Sequence, residues 1–212
     1  GGPVIGDKVT FFSNVRVQTN NGHLNWLRLF EVDNFSNFYS DDSTTWFSEK
    51  TGDSSYVSMN SSNNLSALFK LSFNLFNGIR FSTLYSHSND SWQGYDHSFK
   101  YNPDGRSTDH KVTNYFAFQL NQMFSQKLFY ELKYSVVDND YGSYVYEDPL
   151  DNRYVHDRYF DSYGPGFLTG GQSKNHTTRS MVDQTIKLDI NWQANHTPVS
   201  YTHLTLPTTW SV

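Results

Sequence analysis

Asn64-Leu65-Ser66-Ala67-Leu68-Phe69-Lys70-Leu71-Ser72-Phe73-Asn74-Leu75-Phe76-Asn77-Gly78-Ile79-Arg80-Phe81-Ser82-Thr83-Leu84-Tyr85 decides the fold class. In its first half Leu65, Ala67, Phe69, Leu71, Phe73 and Leu75 fall on one side of an extended chain. Ser66, Lys70, Ser72 and Asn74 fall on the other, with Leu68 as the exception. A helix would mix these two sets, whereas a strand separates them. The second half repeats the pattern, with Ile79, Phe81, Thr83 and Tyr85 opposing Arg80, Ser82 and Ser86. Asn77-Gly78 between two alternating runs is the strongest short-range hairpin signal.

The same period of two recurs along the chain. In 8–18, Val9, Phe11, Val15 and Val17 oppose Thr10, Asn14, Arg16 and Gln18. In 113–122, Phe116, Phe118 and Leu120 oppose Gln119 and Asn121. In 128–138, Leu128, Tyr130, Leu132, Tyr134 and Val136 oppose Glu131, Lys133 and Ser135. In 182–192, Val182, Ile186, Leu188, Ile190 and Trp192 oppose Asp183, Thr185, Lys187, Asp189 and Asn191. Residues 24–30 read as a further short strand, and no segment has a convincing helical period.

The connections alternate in length. Residues 76–78 and 123–127 are tight turns, while 19–63, 91–112 and 139–181 are long, polar and rich in aromatics. Short links at one end and long ones at the other mark an outer-membrane barrel, with short periplasmic turns and long outer loops. Strands of about 10–12 residues suit a tilted crossing of the hydrocarbon layer. The expected fold is an all-β antiparallel meander, an open fragment of about six or seven strands from a large transmembrane β-barrel. On this reading Leu65, Ala67, Phe69, Leu71, Phe73, Ile79, Phe81, Phe116, Phe118, Leu120, Tyr130, Leu132, Tyr134, Ile186, Leu188 and Ile190 face lipid. Phe73, Phe76, Phe124 and Trp192 would form the periplasmic aromatic girdle, and Tyr85, Tyr115 and Tyr134 the outer one. A secreted β-sandwich also alternates and also has turns, and it stands as the soluble alternative.

Composition agrees with a wall that meets lipid on alternate residues only. Aromatics make up 17% of the 212 residues (17 Phe, 15 Tyr, 5 Trp), yet hydrophobic residues overall reach just 36%. A net charge of −5 excludes a bulk basic surface for nucleic acid. No run approaches the ~20 apolar residues of a membrane helix. Cysteine is absent, which excludes disulfides, zinc–thiolate sites and a Cys nucleophile.

The ends read as those of a fragment. The chain starts at Gly1 without a leader pattern, and its first Met is Met59. Val199-Ser200-Tyr201-Thr202-His203-Leu204-Thr205-Leu206-Pro207-Thr208 matches the translation of a transposase sequencing adapter, and Thr209-Trp210-Ser211-Val212 fits its continuation. Residues 199–212 are therefore expected to be adapter-derived and not native, and 1–198 to be a partial barrel.

Three loops carry a family resemblance: Gly52-Asp53-Ser54-Ser55-Tyr56-Val57-Ser58-Met59-Asn60, Tyr95-Asp96-His97-Ser98-Phe99-Lys100-Tyr101-Asn102-Pro103-Asp104-Gly105 and Tyr144-Val145-Tyr146-Glu147-Asp148-Pro149-Leu150-Asp151-Asn152-Arg153-Tyr154-Val155. With Gly1-Gly2-Pro3 before an aromatic strand, they resemble the barrel of TonB-dependent outer-membrane receptors, in the Bacteroidetes-like subgroup with a carboxypeptidase-regulatory-like N-terminal domain. The resemblance runs from about Gly1 to Thr197. It implies a barrel of about 22 strands around a plug. It also implies a Gram-negative outer membrane, lipid and the TonB complex as partners, and energy-coupled uptake of a scarce nutrient such as a siderophore, vitamin, oligosaccharide or peptide. A passive porin-like barrel is the other membrane reading.

No enzyme is expected, since no nucleophile elbow, Walker loop or marked carboxylate pair is present. Nor is a cofactor. His87, His97, His110, His156 and His176 include Asp96-His97, Asp109-His110 and His156-Asp157, but adjacent residues on an extended chain point apart and chelate poorly. Asp138-Asn139-Asp140-Tyr141-Gly142 departs from a calcium loop in its glycine position and lacks the distal Glu. Trp46, Tyr56, Trp92, Tyr95, Tyr101, Tyr144, Tyr146 and Tyr154 are the candidate ligand contacts of the outer loops, because aromatic faces suit sugars or aryl ligands. Phe47, Phe99, Tyr159 and Tyr163 share that region. The same rings also serve to pack loops on one another.

Overall fold

Among the described residues there are twelve strands, numbered in order: β1 Gly2–Ile5, β2 Val9–Asn20, β3 Asn25–Leu27, β4 Ser36–Asn37, β5 Phe47–Ser48, β6 Tyr56–Ser58, β7 Ser62–Asn74, β8 Ile79–Trp92, β9 Thr108–Ser125, β10 Leu128–Tyr144, β11 Thr177–Trp192 and β12 Ser200–Ser211. The computed structural model describes residues 1–75, 78–160, 164 and 166–192, and the main chain of 200–211. Phe76 and Asn77 of the hairpin turn, Tyr163, and Pro198 and Val199 lie outside the described residues. Eight strands form one antiparallel sheet in the order β1-β2-β7-β8-β9-β10-β11-β12, and it stays open. The all-β, open, antiparallel expectation holds.

Register turns the alternation into continuous rows. Val9, Phe73, Phe81, Leu120, Leu132 and Leu188 are neighbours across six strands. So are Phe11, Leu71, Thr83, Phe118, Tyr134 and Ile186, and then Ser13, Phe69, Tyr85, Phe116, Val136 and Gln184. Below them Ile79, Gln122, Tyr130 and Ile190 align. Every residue expected to face lipid lies on this face. Phe81 lies 5.9 Å from both Phe73 and Phe118, so the rings pave it across strands. The opposite face carries Lys70, Ser82, Gln119, Lys133 and Lys187 with Arg80, Glu131 and Asp189. Lys133 faces Lys187 directly, and each is offset by an acid two residues along its own strand, Glu131 and Asp189.

Several expectations need correction. The strands run 12–18 residues rather than 10–12. The excess lies at the long-loop end, where both faces are polar and alternation disappears from the sequence while the main-chain ladder continues. Residues 24–30 do hold a short strand, β3, but it pairs with β6 in a separate two-stranded ladder and does not extend the large sheet. β1, unforeseen as a strand, pairs with β2 through a register shift at Pro3. Tyr115 is aligned with Ser86 and Val137 on the polar face, so it cannot join an outer girdle with Tyr85. Tyr134 sits mid-way along the apolar rows rather than at their end. At the turn end, Trp192 and Phe124 do flank the rows, with Phe124 5.3 Å from Tyr130. The main chain of Ser200–Ser211, within the segment expected to be adapter-derived, pairs along Met181–Trp192.

Among the described residues, the buried apolar side chains are Phe30, Met59, Phe99 and Leu168. None belongs to the large sheet. The core sits in the long connections.

Candidate functional site

The long connections 21–61, 93–107 and 145–176 bond to one another through their main chains. Leu29 and Phe30 N–H both donate to Tyr101 O at 3.0 Å, joining the first to the second. Leu168 N–H donates to Ser98 O and Ser173 N–H to Gly105 O, each at 2.7 Å, joining the third to the second. Gly171 N–H donates to Val32 O at 2.7 Å and joins the third to the first. Two 3₁₀ turns shape the middle connection. In the first, His97–Phe99, Asp96 accepts from Ser98 N–H; the second, Pro103–Gly105, starts on a proline. A Cβ on Gly105 would lie 2.6 Å from Gly171 O, so only glycine permits this approach.

Arg106 ties the first connection to the second. Its side chain is 5% exposed. Nη1 donates to Met59 O and, at 2.7 Å, to Gly94 O; Nη2 donates to Gln93 Oε1 at 3.0 Å and to Ser58 O at 3.4 Å. Burial pulls its pKa down, while Asp96 and Asp104 pull it back up. Asn102, fully buried, donates to Gly171 O at 2.8 Å. Arg28 bridges Asp53 at 3.2 Å and Asp104 at 2.7 Å.

The candidate ligand contacts fall into separate groups rather than one pocket. Trp46 stands edge-on to Phe38 at 5.6 Å and donates to Ser40 O. Tyr56 projects outward. Trp92 lies on the polar face, 6.2 Å from Tyr141. Tyr95 hydroxyl meets His97 Nδ1 at 2.8 Å. Tyr144 stands between His110 and His176, stacked at 4.9 and 5.0 Å on the apolar-face side of the strand ends. A Cβ on Gly142 would strike this ring at 2.5 Å, so the ring rests over bare backbone. Tyr146 and Tyr154 meet edge-on at 5.0 Å, and Arg153 covers the Tyr146 ring at 3.9 Å. Arg153 also forks onto Asp151 at 2.9 and 2.6 Å, which lowers the Asp151 pKa to about 2. Of the neighbouring rings, Phe99 is buried in the loop core and Tyr159 takes the Arg158 guanidinium over its face at 4.7 Å.

Tyr101 belongs to the most closed group. Its ring is edge-on to Phe167 at 4.8 Å and to Trp26 at 5.9 Å. The Lys100 ammonium sits over all three rings, 4.9 Å from Phe167, 5.0 Å from Tyr101 and 5.7 Å from Trp26. One ring comes from each long connection.

Three further histidines bond to Asn114 Oδ1 (His87, 2.9 Å), Arg158 N–H (His156, 3.1 Å) and Glu147 O (His176, 2.8 Å). Among the described residues, no three His, Cys, Asp or Glu side chains converge as metal ligands would. No family model matches this chain, and neither a curated protein nor a solved structure does.

Sequence reading did not single out Arg106, Trp26, Lys100 or Phe167. Their roles depend on three loops meeting, and no periodicity encodes that.

Proposed function

We propose that this chain is a stretch of wall and outer gate of an outer-membrane β-barrel. The observation that supports it is the apolar face: its rows from Ile79–Gln122–Tyr130–Ile190 up to Ser13–Phe69–Tyr85–Phe116–Val136–Gln184 contain no charged side chain. From Leu128 to Val136 the band measures about 27 Å along the strand, or about 21 Å of depth at a tilt near 40°. That approaches the apolar band of about 25 Å on such barrels. Among the described residues no second layer covers it, as a sandwich would require. The loop motifs supply the finer reading, a TonB-dependent receptor importing a scarce nutrient. The interlocked loops then form its outer gate.

The absence of cysteine makes single-cysteine variants direct to build. Phe69→Cys, Leu132→Cys, Lys70→Cys and Lys133→Cys would each carry a polarity-sensitive fluorophore and be added to phospholipid vesicles. Labels at positions 69 and 132 should shift to the blue and be quenched by nitroxide lipids. Labels at 70 and 133 should not. Equal responses at all four positions would defeat the lipid-facing reading. Energy coupling is tested in cells: deleting the TonB partner should abolish uptake through the receptor, whereas a passive pore would continue to conduct.

A further inference from the structure

We infer that the box formed by Trp26, Tyr101 and Phe167 is a binding site for quaternary or methylated ammonium groups, occupied in this structure by the chain's own Lys100. A cation is attracted to the negative face of an aromatic ring within about 6 Å of its centroid. Lys100 meets that condition on three rings at once. The interplanar angles of 82° between Trp26 and Tyr101 and 76° between Tyr101 and Phe167 set the rings as walls rather than as a stack.

Lys100 is a replaceable occupant. An ammonium carries three donors. Here its hydrogen-bond contact is His97 Nε2 at 3.5 Å, and among the described residues no carboxylate lies within ion-pair distance. Lys100 is half-buried, and that one contact is long. A tetraalkylammonium has no donors to leave unsatisfied and keeps the whole ring attraction. Released into water, Lys100 regains its shell. One wall of the box, Phe167, also borders an open cleft of about 370 Å³ together with Asp96, Ser98, Phe99 and Phe160. This site lies in the loops and does not depend on the sheet meeting lipid.

The probe is tetramethylammonium, with tert-butyl alcohol as the uncharged control of similar shape. The full chain is labelled with 5-fluorotryptophan and followed by ¹⁹F NMR, in buffer or in maltoside micelles. Choline-headgroup detergents are avoided because they carry the probed group. The Trp26 resonance is assigned with Trp26→Phe. Tetramethylammonium should shift it in the wild-type chain, while the alcohol should not. Lys100→Ala should tighten the response about 5–10-fold by removing the internal competitor. Lys100→Gln, which removes the charge but keeps most of the aliphatic stem, should do the same if the alanine variant disturbs the loops. Phe167→Leu should weaken binding. The proposal falls if the Trp26 signal stays still in the wild type and in a folded Lys100 variant, or if the alcohol shifts it equally. Either result would leave Lys100 as a packing element that ties the loops together.

Discussion

Arg106 concentrates the stability of the loop layer in one side chain. Its guanidinium satisfies carbonyls of Ser58, Met59 and Gly94, which belong to two different connections. Arg106→Met keeps volume and removes the donors, leaving the buried Met59 carbonyl unpaired, at about 1–3 kcal/mol, and the partly buried Ser58 and Gly94 carbonyls without this partner. The expected loss is about 2–4 kcal/mol of local stability. It should appear as faster hydrogen exchange at the Leu168, Gly171 and Ser173 amides, which bond across the loops, with little change in the strands. Arg106→Lys should recover little of it, since a single ammonium cannot reproduce the fork. Asp151 gives a pH prediction. Its carboxyl pKa is lowered from 3.8 to about 2, first by the Arg153 side chain and then by the Arg153 amide. A depressed carboxylate contributes its stability above the unfolded value and loses it as pH falls through the folded one. The Arg153 clamp on Tyr146 should therefore hold above pH 4 and release toward pH 2. An NMR titration of the Asp151 carboxyl carbon should show a midpoint near 2, rising toward 3.8 in Arg153→Gln.

At the scale of elements, the strands were legible wherever one face had to be apolar. Leu65 to Leu75 and Leu128 to Val136 announce their faces because a one-residue slip would invert every side chain. Where β9 and β10 run on past Thr113 and Val137, both faces are polar, and nothing in the sequence marks the continuing ladder. Tyr115 shows the risk of counting aromatics without parity: an aromatic near a strand end still points by its place in the alternation. The loop site was less legible. Eight rings were picked by type, yet they occupy separate clusters, and Lys100, Trp26 and Phe167 close a box only because connections far apart in sequence converge. The face assignment has a direct test. Leu71 is flanked by Phe11 and Thr83 within the apolar rows, whereas Lys70 is flanked by Phe12 and Leu84 on the other face. Leu71→Arg should cost about 2–4 kcal/mol on folding into lipid, and Lys70→Leu much less. Similar losses in vesicle-refolding yield would contradict the assignment.

On the scale of the molecule, the chain joins two parts with different needs. The loops own a buried core and bond to one another through their main chains, although Asn102 Oδ1 and Arg106 Nε are buried without a partner. The sheet has no covering layer among the described residues, and on the proposed reading an amphiphile covers its apolar rows. Maltoside micelles should slow hydrogen exchange in β8 to β10 at least about tenfold while changing the loop-crossing amides about twofold or less. The open edges pose the remaining problem, because a row of unpaired main-chain groups invites another strand. On one side β1 is four residues long and contains Pro3, which lacks an N–H, so that edge is blunted. On the other side the edge strand is β12, which covers the 16-residue β11 along Met181–Trp192 and whose own row of N–H donors is interrupted at Pro207. Main-chain pairing makes few demands on sequence, so a strand of foreign origin would serve there as well as a native one. A chain ending at residue 198 should expose the β11 edge and self-associate through it. Light scattering in maltoside should then report dimers or larger species for the shortened chain, under conditions where the full chain remains a monomer. An N-methylated amide in β11, introduced by semisynthesis on the exposed edge, should reverse the association. A shortened chain that stays monomeric at the same concentration would show that this edge is already protected by other means.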